Sequence, residues 1–285
     1  MRAAALRPAL RLLPRLQPDN GGFLEAAPLT AFVAMSLAEV TGPEHEVIVN
    51  ACRFLRATVR PDGSWPIDTN LSVWVTTNAL TALRVSGGVP FAVGERARRW
   101  LLEHQQTTVH PFTGAQPGGW AWTHLPGGVP DADDTAGAML TMIAMGEITA
   151  ARRGLGWLAA LQNDDGGWPT FCRGWGRLPF DQSSPDITAH ALRAFAAFAE
   201  MFRGDYPHIR RLVEANLTRF TAGFSYLAAT QRADGSWVPL WFGNQHAPGQ
   251  ENPVYGTARV LAAYADCGRG DDAEAHRGVE FLLSA

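Results

Sequence analysis

The stretch RGLGWLAALQNDDGGW, residues 153–168, decides the fold. Its first nine residues carry apolar side chains at helical spacing, and an Asp-Gly-Gly turn closed by Trp stops the helix. The pattern returns as FSYLAATQRADGSW at 224–237 and as CRFLRATVRPDGSW at 52–65, where Val59 replaces Gln. LLPRLQPDNGGF at 12–23 places Phe23 at the Trp position, and WLLEHQ at 100–105 opens a fifth block whose Pro-Gly-Gly-Trp arrives late, at Trp120. The chain is therefore a repeat protein with a period of about 40 to 70 residues. Gly provides the positive φ the turn requires. The Trp is expected to pack back over the helix end while the Gln amide bonds freed backbone groups.

Between the blocks lie more apolar, Ala- and Thr-rich segments at 28–40, 71–85, 133–146, 184–202 and 252–266. Helices apolar on most of their surface belong inside. Five inner helices alternating with about six amphipathic outer ones predict an all-α fold, an α/α barrel or toroid. Residues 1–285 are expected to form a single such domain. Residues 277–285 line up with 153–161, so the chain is expected to stop one residue before its next Gln, lacking its last repeat.

Composition narrows the function. The 285 residues include ten Trp, 29 Gly and 19 Pro, yet only 18% are charged, which fits helices punctuated by Gly- and Trp-bearing turns. A net charge of −3 gives no reason to expect nucleic acid. Cys52, Cys172 and Cys267 have no metal-like spacing and fit a reducing compartment. No apolar run reaches the roughly 18 residues of a membrane span. The N-terminal MRAAALRPALRLLPRL is broken by Arg7, Pro8 and Arg11, so it reads as an amphipathic helix rather than a signal peptide. A cytoplasmic protein is expected.

Chemistry concentrates in Pro130-Asp131-Ala132-Asp133-Asp134-Thr135-Ala136, at the start of an inner helix. One Asp there caps helix amides and complements the helix dipole. Three repel one another, which raises at least one pKa and can keep a carboxyl protonated near neutrality. A second inner helix begins Ser184-Pro185-Asp186-Ile187-Thr188-Ala189-His190, with Asp186 and His190 four apart on one face. A histidine on such a helix is ordinarily a core residue. Facing the Asp cluster, its imidazole instead bonds one carboxyl oxygen and sharpens the acidity of the other, provided both helix mouths open into one cavity. The product is an acid strong enough to protonate an alkene.

These residues resemble the squalene–hopene cyclases and related class II terpene cyclases. Residues 131–136 match that family's Asp-X-Asp-Asp-Thr-Ala acid motif, and the Gln-to-Trp turns match its repeats. Pro117-Gly-Gly-Trp-Ala-Trp122, Asp186-Ile-Thr-Ala-His190, Asp234-Gly-Ser-Trp237, Trp241 and Val254-Tyr-Gly-Thr257 follow in the family's order, over about residues 60 to 285. The resemblance implies a terpene cyclase/prenyltransferase-type barrel and an isomerase or lyase that protonates an isoprenoid such as squalene. Asp133 would be the proton donor, Asp131 and Asp134 its flanking carboxylates and His190 its hydrogen-bond partner. Asp186 and Tyr255 would belong to the reprotonation network. Trp74, Trp122, Phe171 and Trp241 match positions whose aromatic faces stabilise cations, although each also fits plain core packing. No cofactor or metal is implied, because a Brønsted acid starts the reaction.

The chain also departs from the family. A typical member has two α-barrel domains enclosing the substrate, and this chain has one, with about eight extra residues around Gln245 to Asn252. A second reading is accordingly a non-catalytic or partner-dependent isoprenoid-binding protein, completed by a homodimer mate or a separate cyclase-domain chain. Peripheral membrane contact is compatible with either reading. A diphosphate-bearing substrate would need basic residues such as Arg173 and Arg177. A third reading, a protein prenyltransferase β-like subunit, needs a zinc site, for which Asp266, adjacent Cys267 and His276 are the available residues.

Overall fold

The computed structural model describes residues 2–67, 70–111, 113–171, 181–201 and 207–285, with the side chains of 2–5 and 207–214 left aside. Cys172, Arg173 and Arg177 lie outside the described residues. The chain packs as two compact units, Met1–Val75 with Ala121–Val129, and Thr76–Trp120 with Pro130–Ala285.

The first unit holds α1 (Arg2–Leu16), α2 (Ala27–Thr41), α3 (Glu46–Thr58) and the start of α4 (Ser72–Val85). α2 packs chiefly on α3. It buries Ala27, Thr30, Ala34 and Leu37 but exposes Phe32 and Met35. The expectation that every apolar Ala- and Thr-rich helix is enclosed on all sides therefore fails for α2. Its main neighbour covers one stripe and leaves the opposite apolar face uncovered.

The second unit continues α4 and adds α5 (Phe91–Glu103), α6 (Ala132–Ala144), α7 (Ile148–Leu161), α8 (Pro185–Glu200), α9 (Pro207–Thr230), α10 (Pro253–Asp266) and α11 (Ala273–Ser284). α6, α8 and α10 pack side by side, while α7 covers α6, α9 covers α8 and α11 covers α10. Here the inner-helix reading holds for α6 and α8, whereas α4 exposes Leu83 and Val85 and α10 exposes Val254. α6 buries residues around most of its circumference, from Ala132 through Thr135, Ala138 and Met139 to Met142, as does α8 from Pro185 to Phe198. α7 buries one stripe, Ala150, Ala151, Gly154, Leu155, Leu158 and Leu161, as an outer amphipathic helix should. Among the described residues no helix is long and apolar enough to cross a membrane.

The repeat blocks form one hydrogen-bonded device. The Nε2 of Gln17 donates to Gly21 O (3.0 Å) and Val47 O (2.9 Å), and that of Gln105 to Gly118 O (2.8 Å) and Ala150 O (3.0 Å). Gln162 does the same to Gly166 O (2.7 Å) and Arg219 O (2.8 Å), and Gln231 to Gly235 O (2.9 Å) and Glu274 O (2.8 Å). One amide thus closes its own turn and stitches it to the next outer helix. The turn glycine must also let that helix approach. Gly166 and Gly235 have φ near +89° and +88°, and a Cβ on either would run into the carbonyl oxygen of Ala222 or Arg277. The block with Val59 has no such amide, and space around its Gly63 is open.

Each Trp fastens two elements. The indole N–H of Trp65, Trp120, Trp168 and Trp237 donates to a carbonyl of its own outer helix, at Leu55, Leu101, Leu158 and Leu227 respectively (2.7–2.8 Å). The backbone N–H of Phe23, Trp120, Trp168 and Trp237 donates to a Thr Oγ1 on the following inner helix, at Thr30, Thr135, Thr188 and Thr257 (2.9–3.0 Å). Each such bond sets the rotation and height of one inner helix against the turn before it.

Candidate active site

The N-termini of α6, α8 and α10 carry the predicted chemistry, and all three belong to the second unit. Asp131 is the N-cap of α6, its Oδ1 accepting from the Asp134 N–H (2.8 Å). Asp133 and Asp134 occupy the first turn, where the helix dipole favours negative charge. The backbone of Asp131 bridges Phe171, and Ala132 N–H donates to Thr170 O (2.7 Å), which seats Thr170 and Phe171 against the mouth of α6.

Asp133 faces α8. The Nδ1–H of His190 donates to Asp133 Oδ1 at 2.5 Å, the tautomer following from the acceptor. Arg259, on α10, places Nη2 3.6 Å from the same oxygen.

Among the described residues the other carboxyls are buried without salt-bridge partners. Asp131, Asp134 and Asp186 are 3%, 4% and 1% exposed, and one oxygen of each has no hydrogen-bond partner among the described residues. An ionised carboxylate in that condition is costly, so the proton stays on. Burial pushes Asp131 and Asp134 well above the carboxylate range, and the charges of the neighbouring aspartates push in the same direction. Asp186 is raised by burial, against the opposing hydrogen bond from the Ser184 hydroxyl. Burial lowers the His190 pKa, while the charge of Asp133 pulls it back up. Tyr255, on α10, has its phenol raised to about 12, mainly by burial and partly by Asp186 and Asp133.

The chemical consequence follows from charge. Neutral Asp131, Asp134 and Asp186 do not oppose a negative charge on Asp133, while His190, Arg259 and the α6 dipole stabilise one. A carboxyl whose conjugate base is stabilised in a dry site is a strong acid, and clustered carboxyls divide their roles in this way.

Of the remaining predicted residues, Trp241 reaches the Phe171 side of the site, its indole N–H donating to the Thr170 hydroxyl. The preceding Leu240 N–H donates to Ser184 Oγ (3.0 Å), the hydroxyl that serves Asp186. The Tyr255 ring lies 5.1 Å from that of Phe242. Trp74 and Trp122 belong to the other unit, where Trp122 O accepts the Val73 N–H (3.0 Å) at the start of α4. Two of the three residues considered for zinc are engaged elsewhere. Asp266 pairs with Arg193 (2.6 Å), and the Cys267 thiol faces Leu192 O (3.8 Å).

Sequence reasoning missed Ser184 as a donor to Asp186, and it missed Arg259. A signal for Arg259 exists in the repeat. It stands two residues after Thr257, as His190 stands two after Thr188, and both threonines lock to the preceding Trp.

Comparison with known proteins bears on the family and the fold. The family model of the squalene-hopene cyclase C-terminal domain matches residues 70–285. Squalene–hopene cyclase of Bradyrhizobium diazoefficiens is 30% identical over 241 residues, 74% of this chain and 33% of that protein. This chain therefore spans about a third of that relative's length. Among solved structures, ent-copalyl diphosphate synthase from Streptomyces platensis superposes with a TM-score of 0.58 at 19% identity, over 85% of this chain and 39% of that one. A type II terpene cyclase from Scytonema, solved with geranylgeranyl dihydroxybenzoate as substrate, gives 0.52 at 19% identity, over 98% and 66%. These likenesses bear on fold alone, and they agree with the all-α, α/α-barrel class expected from the repeats. With three quarters of its length matched by the family model, the chain belongs to the squalene–hopene cyclase C-terminal domain family.

Proposed function

We propose that the protein is a class II terpene cyclase of squalene–hopene type, which starts cyclisation by protonating an alkene of an isoprenoid such as squalene. The observation that carries the reading is the 2.5 Å bond from His190 to Asp133, beside carboxyls that burial keeps neutral. Asp133 gives its proton to the terminal alkene, leaving the Asp133 carboxylate hydrogen-bonded to His190 and a carbocation on the substrate. Phe171 and Trp241, both beside Thr170, are the candidates to stabilise that cation, and each cation–π contact is worth about 0.5 to 2 kcal/mol. Asp186 and Tyr255 belong to the network that returns a proton to Asp133. Trp74 and Trp122 are the further aromatic candidates.

The test is incubation of the purified protein with squalene, oxidosqualene and geranylgeranyl diphosphate, with products read by mass spectrometry. Cyclised product is expected, and Asp133→Asn is expected to reduce it by a factor of about 10² or more, the range for a general acid. Absence of product from the wild type, or equal product from Asp133→Asn, overturns the reading.

A second reading has an observation of its own. Trp241 is 37% exposed, and the chain spans a third of its squalene–hopene cyclase relative. On that reading the protein binds isoprenoid and becomes active only with a second chain, a homodimer mate or another cyclase domain, at a membrane surface or in solution. Tight squalene binding without turnover, followed by turnover on adding such a chain, distinguishes it.

A further inference from the structure

We propose that Arg259 is a positioning residue for the acid, supplying the permanent positive charge against which Asp133 ionises. The inference rests on the acid reading of Asp133. His190 and Arg259 occupy the same place in successive repeats, two residues beyond the threonine that holds each inner helix to its Trp turn. From α8 and α10 they converge on one atom, Asp133 Oδ1, at 2.5 and 3.6 Å. At the same place in α6 stands Gly137, where a Cβ would meet the His190 ring at 3.5 Å, an ordinary van der Waals contact.

The two donors differ in kind. Imidazole is charged only when protonated, and burial disfavours that form in His190. A guanidinium is charged at every accessible pH. Among the described residues the ion pair with Asp133 is the one Arg259 makes. The other groups that face the pair are Asp131 and Asp134 from α6, Asp186 and Arg193 from α8, and Tyr255 from α10, with Tyr226 of α9 beyond Asp186. Burial shifts all three aspartates toward the neutral form, and Arg193 is paired to Asp266. Arg259 is accordingly the standing counter-charge for the carboxylate that proton donation creates, and His190 orients it.

The experiment titrates Asp133 directly. The carboxyl carbon shift of the full-length protein labelled at aspartate is followed against pH, with the Asp133 signal assigned by its loss in Asp133→Asn. Arg259→Met and Arg259→Gln are expected to move the Asp133 midpoint upward by a pH unit or more, at least tenfold in proton affinity. Arg259→Lys is expected to move it by less than half as much. Unmoved midpoints in Met and Gln variants that remain folded overturn the assignment. So do equal shifts in Met, Gln and Lys, which would mean that packing rather than charge is responsible. If Met and Gln variants both fail to fold, an Arg259→Lys midpoint displaced as far as a full unit overturns the assignment, and a smaller displacement upholds it. Where the wild type turns over substrate, the same variants are expected to lower kcat and carry its alkaline limb upward. A shifted midpoint with no wild-type turnover sinks the cyclase reading and leaves Arg259 in place, whereas turnover with an unmoved midpoint does the reverse.

Discussion

Replacing Gln162 with Ala tests whether the repeat turns hold the molecule together. The side chain is 9% exposed, and its amide donates twice, to Gly166 O at 2.7 Å and to Arg219 O at 2.8 Å. The first acceptor is buried, so losing its donor costs about 1–3 kcal/mol. The second bond is only partly buried and water can replace it, which limits its loss to about 0.5–1.5 kcal/mol. The sum is about 3 kcal/mol, against a total stability of about 5–15 kcal/mol for a folded domain. Urea unfolding followed by circular dichroism measures it. With a slope near 3 kcal/mol/M, the midpoint is expected to fall by about 1 M with the slope unchanged. Gln162→Glu keeps the length of the side chain but removes both donors, so it is expected to cost at least as much. Val59→Ala, at the corresponding position of the block that has no amide, is expected to stay within about 0.5 kcal/mol. A loss below about 1 kcal/mol for Gln162→Ala, or a neutral Gln162→Glu, refutes the reasoning by showing that the residue fills space rather than bonds.

Two further outcomes follow from the same structure. Thr188→Val keeps the shape of the side chain but strands the buried Trp168 N–H, 2.9 Å from the Thr188 hydroxyl, and is expected to lower stability by about 1–3 kcal/mol in thermal melts, with Thr188→Ser restoring most of it. Asp131 has a folded-state pKa raised above its unfolded value, so its contribution is fully present below about pH 4 and is lost as pH rises through the folded value. Asp131→Asn keeps the cap to the Asp134 N–H and removes that loss, so its Tm is expected to rise relative to wild type as pH climbs from 4 to 8. A constant Tm difference across that range rejects the buried neutral carboxyl.

The sequence made the outer turns legible because their signal is local, with Gln, Gly and Trp within seven residues in two of the blocks and Gln, Gly and Phe within seven in a third. It also flagged the acid cluster, because three carboxylates at one helix mouth are physically expensive unless used. The second bond of each Gln was not legible. Its acceptor is a backbone carbonyl 30 to 57 residues away, and a carbonyl carries no side-chain identity to read. The exposed face of α2 escaped for a related reason, since Phe32 and Met35 have the composition of a core and composition does not reveal what stands opposite. Arg259 was passed over because an arginine on a helix ordinarily reads as solvated.

The scaffold and the chemistry are nonetheless one pattern. Thr135, Thr188 and Thr257 each take the N–H of the preceding Trp, which fixes three inner helices in the same register against their turns. Two residues before each threonine stand Asp133, Asp186 and Tyr255, and two residues after stand Gly137, His190 and Arg259. Side chains two positions either side of the anchor are four residues apart and lie about 40° apart around a helix, since each residue turns about 100°. Position before and position after therefore share one face, about one turn apart along the axis, and residues of neighbouring helices must meet for the acid to be assembled. They do meet at Asp133, which α6 provides from before its anchor while α8 and α10 provide His190 and Arg259 from after theirs. A Trp–Thr bond that slipped by one residue would turn its inner helix by about 100° and carry its contribution away from the acid. Loss of such an anchor is thus expected to reach the Asp133 titration as well as the melting temperature, which ties the stability of the repeat to the strength of the acid.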